Sequence, residues 1–309
     1  MRVVSLLPSA TELLVGVGGQ DLLVGRSHEC DWPVEITDRP ILTSQRTTGS
    51  TGAAIDEEVR QLLKEGQPLY ELDENQLADL KPDLILTQDL CSVCSIDLAA
   101  VSRVASRLSP QPQVMSLNPT SLDDVYDDAL RIGSAIGYRT KADQAVVNWR
   151  ATYHNARDYV NCYEQGPVVA FLEWHDPMMA AGHWTPALIE AAGGQHPYNP
   201  PGANAITISA EKLKAARPDR LIVCPCGLDL ESIVQQLDVL TRSEWWSDIP
   251  AVKNNQVAIV DGNQMFNRPG PRLIDAFCWL VGWLQERPEV IPNNFPWQPI
   301  AGDATIENH

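Results

Sequence analysis

Five cysteines lie just after predicted strands, where ligand-binding side chains collect. They are Cys30, Cys91, Cys94, Cys224 and Cys226, among seven cysteines in the 309-residue chain. Thiolates bind soft metals and can also coordinate a metal held within a chelate. The C-x-x-C spacing of Cys91 and Cys94 also suits a redox pair, whereas the C-x-C spacing of Cys224 and Cys226 is tighter than in zinc fingers. The five thiols form a candidate metal-binding set, with small apolar lining residues as the alternative.

Aromatic and imidazole side chains occur in the same segments. Large flat ligands are held by aromatic faces with a few polar anchors, so we interpret Trp32, Trp174 and Trp184 as candidate pocket walls. His175 and His183 are candidate axial ligands to cobalt or iron. Packing in a core remains the alternative for each tryptophan, and a hydrogen-bonded loop position remains the alternative for each histidine.

A catalytic interpretation rests on His28 and Cys30, a potential base and nucleophile. Two residues apart on one loop, such side chains more often point in different directions. The chain contains no nucleophile elbow, phosphate-binding glycine loop or paired-metal carboxylate motif. We therefore expect a protein that is not an enzyme, and keep an enzyme on a binding-protein scaffold as an alternative.

The strands that position these residues belong to an internal repeat. RVVSLL at residues 2–7 resembles PVVAFL at 167–172, and each is followed by a helical pattern that ends at Gly-Gly-Gln. LADLKPDLIL at 77–86 matches LKAARPDRLI at 213–222, where a Pro-Asp turn separates a helix from a buried strand. Two matched pairs in the same order predict an α/β fold with two Rossmann-like lobes, each around a parallel sheet.

The segment between the repeats has apolar residues at helical spacing and no proline. We predict that most of residues 121–164 form one long backbone helix joining the lobes, with a break near 137–140 as the alternative. The predicted division is an N-terminal lobe at 1–118, an interlobe helix at 119–165, and a C-terminal lobe with its tail at 166–309. The tail from Pro288 onward is predicted to be extended coil.

Ligands of open parallel sheets bind beyond the carboxyl ends of the strands. Backbone N–H groups that open the first helix can receive an anionic or carbonyl group there. An arginine at the rim can pair with ligand amides or carboxylates, whereas Arg272 is assigned to a structural salt bridge. The candidate ligand-binding residues are Ser9, Ala10, Thr11, Glu29, Trp32, Gln88, Trp174, His175, His183, Trp184 and Arg268.

Composition narrows the class of protein. A net charge of −17 repels phosphate backbones, so a nucleic-acid partner is excluded. No apolar run is long enough for a membrane-spanning helix. The N-terminus lacks a secretory signal pattern, and an odd number of cysteines fits free thiols in a reducing compartment. The expected location is cytoplasmic, with a periplasmic location as the alternative if an export signal precedes this sequence.

Three motifs in order carry a family resemblance: VSLLPSATE at 4–12, LKPDLIL at 80–86 and RPGPR at 268–272. They resemble the substrate-binding proteins of vitamin B12 and iron-chelate ABC importers, and the cobalamin-binding branch in particular. The resemblance implies two lobes joined by a backbone helix, limited closure, and a ligand in the interlobe groove. A monomer that requires no cofactor is expected, with cobalamin or another chelate as the bound molecule.

In that family, an acidic residue on each lobe docks arginines of the transporter. The matching position in the second lobe is Glu211, and the repeat places Asn75 at the first-lobe position, with Glu74 one residue earlier. This departure weakens the expectation of an ABC permease as partner. The leading hypothesis is non-catalytic binding of a corrinoid or other metal chelate, for transport or intracellular handling; a metal-ion trafficking protein that uses the cysteines and histidines is the alternative.

Overall fold

The computed structural model describes residues 1–89 and 96–300. The chain forms two compact units. Unit 1 comprises Met1–Trp149 with Pro269–Pro271, and unit 2 comprises Arg150–Arg268 with Arg272–His309. Each unit contains a sheet with parallel strands and helices, which confirms the predicted two-lobed α/β fold.

Unit 1 is built on a four-stranded sheet in the order β2-β1-β5-β6, in which all neighbours are parallel. Strands β3 and β4 form a separate antiparallel pair, and helix α2 lies between them in the sequence. The elements are β1 (Val3–Ser5), α1 (Pro8–Gly16), β2 (Leu23–Arg26), β3 (Thr43–Gln45), α2 (Gly52–Lys64), β4 (Tyr70–Leu72), α3 (Glu74–Leu80), β5 (Leu84–Thr87), α4 (Leu98–Ala105), β6 (Gln113–Ser116), α5 (Leu122–Ala135) and the start of α6 (Arg139–Arg157).

Unit 2 is built on a six-stranded sheet in the order β12-β11-β10-β7-β8-β9. Strands β11, β10 and β7 are parallel, and β12, β8 and β9 are antiparallel to their neighbours. The elements are β7 (Val169–His175), β8 (Met178–Ala180), α7 (Thr185–Ala191), β9 (Ile206–Thr207), α8 (Ala210–Ala216), β10 (Arg220–Val223), α9 (Leu230–Gln236), α10 (Asp238–Thr241), α11 (Pro250–Lys253), β11 (Val257–Val260), α12 (Leu273–Leu284) and β12 (Trp297–Ile300).

The internal repeat is visible in matched hydrogen bonds. The backbone N–H of Arg2 donates to Asp83 Oδ2 at 2.6 Å, and that of Val168 donates to Asp219 Oδ2 at 2.9 Å. Each aspartate follows the proline of the helix-to-strand turn and holds the start of the adjacent first strand of its unit. The aspartate of the Pro-Asp motif therefore links two neighbouring parallel strands by a hydrogen bond. Each unit has one such link, which explains why the motif occurs once in each unit.

The connecting segment is two helices rather than one, which confirms the alternative prediction of a break near residues 137–140. α5 ends at Ala135 and α6 begins at Arg139 because Gly137 takes a left-handed backbone conformation, with φ at +77°. The boundary between the units falls within α6, after Trp149. No helix in residues 1–89 and 96–300 has the length and apolar character to cross a membrane.

The chain after Pro288 also differs from the expected coil. Trp297–Ile300 forms strand β12, which pairs antiparallel with β11. Trp297 lies against Trp279, whose ring also stacks on Phe295 with centroids 5.4 Å apart. Prolines suggested an irregular tail, but an edge strand tolerates proline, and the contact with Trp279 packs Trp297 against unit 2.

Candidate functional site

The carboxyl ends of the unit 1 strands lie at one edge of the sheet. The N–H of Leu6 donates to Leu86 O and the N–H of Ser27 donates to Ser5 O, both at 2.9 Å, so the ends of β1, β2 and β5 stay in register. The segments that follow these strands carry the candidate residues predicted for this unit. The segments that follow β1, β2 and β5 therefore begin side by side, at the edge where ligands of parallel sheets bind.

The first turn of α1 is buried. Ala10 and Thr11 have no exposed surface and Ser9 is 5% exposed. The Thr11 hydroxyl lies 3.1 Å from Cys30 Sγ, inside unit 1. No side chain caps α1, so its backbone N–H groups remain the ligand-binding feature that the sequence predicts there.

Arg26 at the end of β2 organises the next segment, and sequence reasoning missed it. This arginine is 7% exposed, and its guanidinium donates to the carbonyl oxygens of Cys30 at 2.9 Å and Thr37 at 2.8 Å. The bonds fix residues 27–37 around a buried cation. Trp32, within this segment, is 37% exposed and presents its indole at the surface of unit 1. The apolar segment flanking the arginine gave no signal that its side chain turns back to bind the backbone.

His28 and Cys30 do not form a catalytic pair. His28 Nδ1 lies 2.8 Å from Thr43 Oγ1, and burial, with the charge of Arg26, lowers the histidine pKa. Cys30 is fully buried and its sulfur contacts the Thr11 hydroxyl. Each side chain is committed to a different neighbour, so the base–nucleophile contact that acyl-transfer chemistry requires is not made.

Two further predicted residues of unit 1 differ in burial. Gln88 directly follows β5 and is 7% exposed, whereas Glu29 is half-buried. The backbone N–H of Glu29 donates to Ser27 Oγ at 3.1 Å, which holds the segment after β2 close to its strand. Cys91 and Cys94 lie outside the described residues.

In unit 2, Trp174 and His175 end strand β7. The Trp174 indole N–H donates to Asp176 O at 2.9 Å, which fixes the ring while leaving it half-buried. His175 is 4% exposed, and burial lowers its pKa against the opposing effect of a hydrogen bond with the Gln236 side chain. Trp174 is therefore positioned as a pocket wall, whereas His175 faces the interior of unit 2.

His183 and Trp184 precede helix α7 and have different environments. Trp184 is 6% exposed and its indole N–H donates to Phe266 O at 2.6 Å, so this ring packs inside unit 2 rather than forming an open wall. The His183 ring lies 5.5 Å from the Trp184 ring at an interplanar angle of 30°. Burial lowers the pKa of His183, although the ring is only half-buried.

The two cysteines after β10 have opposite exposures. Cys224 is fully buried, and burial together with the neighbouring Cys226 raises its thiol pKa well above the usual value. Its sulfur lies 3.6 Å from the Asn267 amide nitrogen. Cys226 is exposed. Because metals bind the thiolate, the environment of Cys224 disfavours the predicted ligand role.

A metal site built from protein side chains finds no support in the part of the chain that the structure describes. There, no group of three or more histidine, cysteine or acidic side chains is arranged to hold a metal ion. Cys30 and Cys224 are buried thiols with hydrogen-bonding neighbours. Cys91 and Cys94 lie outside the described residues, so a metal-ligand role for these two cysteines stays a prediction.

Two arginines form hydrogen bonds that hold the loop after β11 in place. Arg268 Nη2 donates to Asn263 Oδ1 at 3.0 Å, and Arg272 Nη1 donates to Gln264 Oε1 at 2.7 Å; both arginines are 6% exposed. Asp261, which accepts the N–H of Gln264 at 2.9 Å, is buried, and this burial raises its pKa. Arg268 therefore orders the loop in this structure rather than standing at an open rim.

The predicted transporter-docking residues lie on matched helices. Glu211 is the second residue of α8 and is exposed, and Asn75 occupies the same place in α3. Glu74 begins α3, with a carboxylate oxygen 3.2 Å from an Arg107 nitrogen. The two units thus present different side chains at this position.

A cavity of about 700 Å³ lies at the other edge of unit 2. Its lining includes His154, Arg157, Gly166 and Gln195. Val169, at the amino end of β7, donates its N–H to Gln195 O at 2.9 Å. The cavity therefore lies at the amino ends of the strands, away from the candidate ligand-binding edge.

Comparison with known proteins agrees with this geometry. The model of a family described as periplasmic binding protein matches residues 3–263. An uncharacterized ABC transporter substrate-binding lipoprotein, YvrC, of Bacillus subtilis (strain 168) is 23% identical over 279 residues, covering 89% of this chain and 76% of the relative. The vitamin B12-binding protein of Vibrio vulnificus (strain CMCP6) is 23% identical over 281 residues, covering 88% of this chain and 86% of the relative.

A solved structure shares the fold. The periplasmic heme-binding protein RhuT from Roseiflexus sp. RS-1, in apo form, aligns with a TM-score of 0.70 at 23% identity, covering 93% of this chain and 98% of that chain. The resemblance to importer substrate-binding proteins that the sequence motifs indicated is confirmed.

The expected cytoplasmic location is wrong. The matching family is one of periplasmic binding proteins, and the Bacillus relative is a lipoprotein of an ABC transporter. The argument from free thiols fails for a physical reason. Cys224 and Cys278 are buried, and buried thiols are inert toward oxidation, so free thiols do not require a reducing compartment.

Proposed function

This chain belongs to the periplasmic binding protein family, and from that membership we propose that it binds a metal chelate of the corrinoid or haem class without transforming it. The proposed binding surfaces are the carboxyl edges of the parallel sheets. The named relatives include a binder of vitamin B12 and a binder of heme, two large metal macrocycles. We propose that this protein recognises the same broad class of molecule.

The observation that carries the proposal is a partly exposed tryptophan at the carboxyl edge of each unit. Trp32 follows β2 and is 37% exposed, and Trp174 lies at the end of β7 with its ring fixed by the bond to Asp176 O. Exposed indole surface costs free energy in water, and a flat apolar ligand recovers that free energy by covering it. Corrins and porphyrins offer such faces.

The same edges carry few groups suited to chemistry. His28 and Cys30 are bonded to different neighbours, and the Cys224 thiol is kept protonated by burial. A cysteine nucleophile needs an adjacent base or a lowered thiol pKa; the His28 ring nitrogen lies against Thr43 rather than Cys30, and the pKa of Cys224 is raised. A binding role therefore fits these residues better than acyl transfer or thiol redox chemistry.

The test is binding of three purified chelates to the intact protein: hydroxocobalamin, aquacobinamide and haem. Titration calorimetry and absorbance are expected to show one saturable site for at least one of them. Trp174→Ala is expected to weaken that binding at least tenfold, because a stacked indole contributes on the order of 1–3 kcal/mol of contact. If none of the three binds, the proposal is wrong.

Trp245→Ala is the matched control. Trp245 is also half-buried, but it precedes the amino end of β11 and packs against the core of unit 2. Its loss is expected to lower stability and leave chelate affinity within twofold of the unchanged protein. Equal loss of affinity in both variants would indicate a general structural effect and contradict the role of Trp174.

Delivery to an ABC importer is supported at one position, Glu211. This exposed carboxylate stands at the start of α8, where its own backbone N–H and Ser209 lower its pKa, so it is ionised at neutral pH. A photo-crosslinker on Glu211→Cys is expected to capture a membrane permease in native membranes. The control is Glu231→Cys, at the second position of α9. Equal capture from both positions would contradict docking at Glu211.

A further inference from the structure

We propose that the segment carrying α2 is a lid that closes over part of the bound chelate. This segment, residues 46–69, runs from the end of β3 to the start of β4, and we call it the α2 excursion. The inference rests on the proposed chelate-binding function. It adds to that function an element of unit 1 that controls how fast the chelate leaves.

The α2 excursion starts beside the candidate ligand-binding edge of unit 1. Strands β3 and β4 form an antiparallel ribbon at its base. The His28 N–H, two residues after the end of β2, donates to Thr43 Oγ1 in β3 at 3.1 Å. The His28 ring also lies 5.9 Å from the Tyr70 ring in β4. The ribbon is therefore held against the segment that follows β2, in which Trp32 lies.

Helix α2 buries much less of itself than other helices of unit 1. Of its 13 residues, only Gly52 is buried. Helix α5, with 14 residues, buries six, and the eight-residue α4 buries three. A helix of this length is marginally stable without packing, so α2 is expected to open at a lower free energy than α5. Lids are drawn from such segments because they have to open at little cost.

Helix α2 nevertheless carries an apolar stripe. Ile55, Val59 and Leu62 recur at the i, i+4, i+7 spacing of one helix face, and all three are half-buried. Leu63 lies beside that face and is 44% exposed. Covering this stripe with an apolar surface lowers the free energy of the protein in water, and a flat macrocycle offers such a surface.

The excursion is tied together by bonds within itself. Glu58 on α2 accepts the N–H of Thr48 at 2.7 Å and that of Gly49 at 3.2 Å, which joins the helix to the turn before it. At the base, an Arg46 nitrogen lies 2.9 Å from a Glu71 oxygen and so joins the two sides of the ribbon. A segment joined in this way closes as one body, and its hinge is the ribbon of β3 and β4.

The occupant that we assign to the apolar stripe is the chelate. Trp32, 37% exposed, lies in the segment against which the ribbon is held. A corrin or porphyrin is larger than an indole ring, so part of the macrocycle stays in water after Trp32 is covered. The stripe of α2 is an apolar surface attached beside Trp32, and it is suited to cover that remaining part. A protein partner is the other candidate occupant, and the experiment distinguishes the two.

The test replaces residues 47–68 by Asn-Gly, a pair that favours a two-residue hairpin turn. The Arg46 N–H already donates to Leu69 O at 2.9 Å, so these two residues can close the shortened ribbon. Dissociation of haem, aquacobinamide and hydroxocobalamin is followed by recovery of tryptophan fluorescence after dilution. Each chelate that the unchanged protein binds is expected to leave the shortened protein about tenfold faster, with association unchanged to within about threefold. A single cooperative unfolding transition checks the fold.

Leu63→Gln is a second variant that keeps the whole excursion. Because this side chain is exposed, the fold is expected to persist, and chelate dissociation is expected to become about threefold faster. The control is Val239→Gln on α10 of unit 2, where the valine is 42% exposed. This control is expected to leave the dissociation rate unchanged.

Hydrogen exchange of the unchanged protein needs no variant at all. With chelate bound, the amides of α2 are expected to exchange about tenfold more slowly, while those of α5 keep their rates. Unchanged dissociation in both variants, or no added protection of α2, would overturn the lid, leave chelate binding intact and make a protein partner the occupant of the stripe. If the unchanged protein binds none of the three chelates, both proposals are refuted.

Discussion

The indole N–H of Trp184 donates to the carbonyl oxygen of Phe266 over 2.6 Å, joining the residue before α7 to the loop after β11. Phe266 has φ at +57° and is 1% exposed, so this carbonyl belongs to a buried, left-handed residue. The bond therefore ties two segments at the candidate ligand-binding edge of unit 2. It also satisfies a buried acceptor that would otherwise be costly to leave unpaired.

Trp184→Phe tests this bond while keeping an aromatic ring. The change leaves Phe266 O without its donor, and we expect the free energy of unfolding to fall by about 1–3 kcal/mol. Chemical denaturation measures the loss. Trp245→Phe is the control, since the ring-to-ring change is similar and Trp245 is half-buried against the core of unit 2. A loss no larger than that of the control would contradict a structural role for the bond.

Local sequence patterns predicted the scaffold well. The repeated strand and Pro-Asp motifs are short-range signals, and they correctly predicted two α/β units with parallel strands at the observed places. The carboxyl-edge rule likewise identified the segments in which Trp32 and Trp174 lie. These features follow from chain-local periodicity and from the geometry that all parallel sheets share.

Side-chain direction could not be predicted in the same way. Nothing in the local sequence indicated that Trp184 would turn inward to Phe266, 82 residues away. The buried bonds of Arg26 to Thr37 O and of Arg268 to Asn263 are tertiary contacts of the same kind. Arginine side chains are usually exposed, and only the packed fold shows that these two guanidinium groups order loops.

Asp128 on α5 is expected to make stability depend on pH. Its carboxyl is buried, and burial raises its pKa to about 6 although Arg131 donates to Oδ1 at 2.6 Å. The folded state therefore holds this proton more tightly than the unfolded state. The favourable contribution is complete below the unfolded pKa of 3.8, and is lost as the pH rises through about 6.

Asp128→Asn removes the titration and can keep the acceptor for Arg131. At pH 7.5 the variant is expected to exceed the original protein in unfolding free energy by about 1–3 kcal/mol, and the two should converge below about pH 4. Urea denaturation across pH 3–8 measures the difference. Asp127→Asn, an exposed neighbour on the same helix, should stay within about 0.5 kcal/mol throughout. A constant gap across the pH range would contradict this account.

The cysteines are expected to differ sharply in reactivity. Of the cysteines within residues 1–89 and 96–300, Cys162 and Cys226 are exposed, whereas Cys30, Cys224 and Cys278 are buried. Burial also raises the pKa of the Cys278 thiol to about 11. Because the thiolate is the reactive form, iodoacetamide at pH 8 should modify the two exposed cysteines first and the buried three only on unfolding. Peptide mass spectrometry at timed intervals gives the order; early labelling of Cys224 would contradict its burial.

The paired aspartates Asp83 and Asp219 provide a test of the internal repeat. Each accepts the N–H of the residue just before its neighbouring strand, Arg2 or Val168, so removing either carboxylate leaves one backbone donor without its partner. Asp83→Ala and Asp219→Ala are each expected to lower the unfolding free energy by about 1–3 kcal/mol.

The exposed Asp127→Ala controls for loss of negative charge alone. Since the two aspartates lie in separate units and bind different partners, the double variant should show the sum of the single losses to within about 0.5 kcal/mol. Thermal unfolding with calorimetric detection measures all four variants, and a cost at only one of the two aspartates would show that the matched turns are not energetically equivalent.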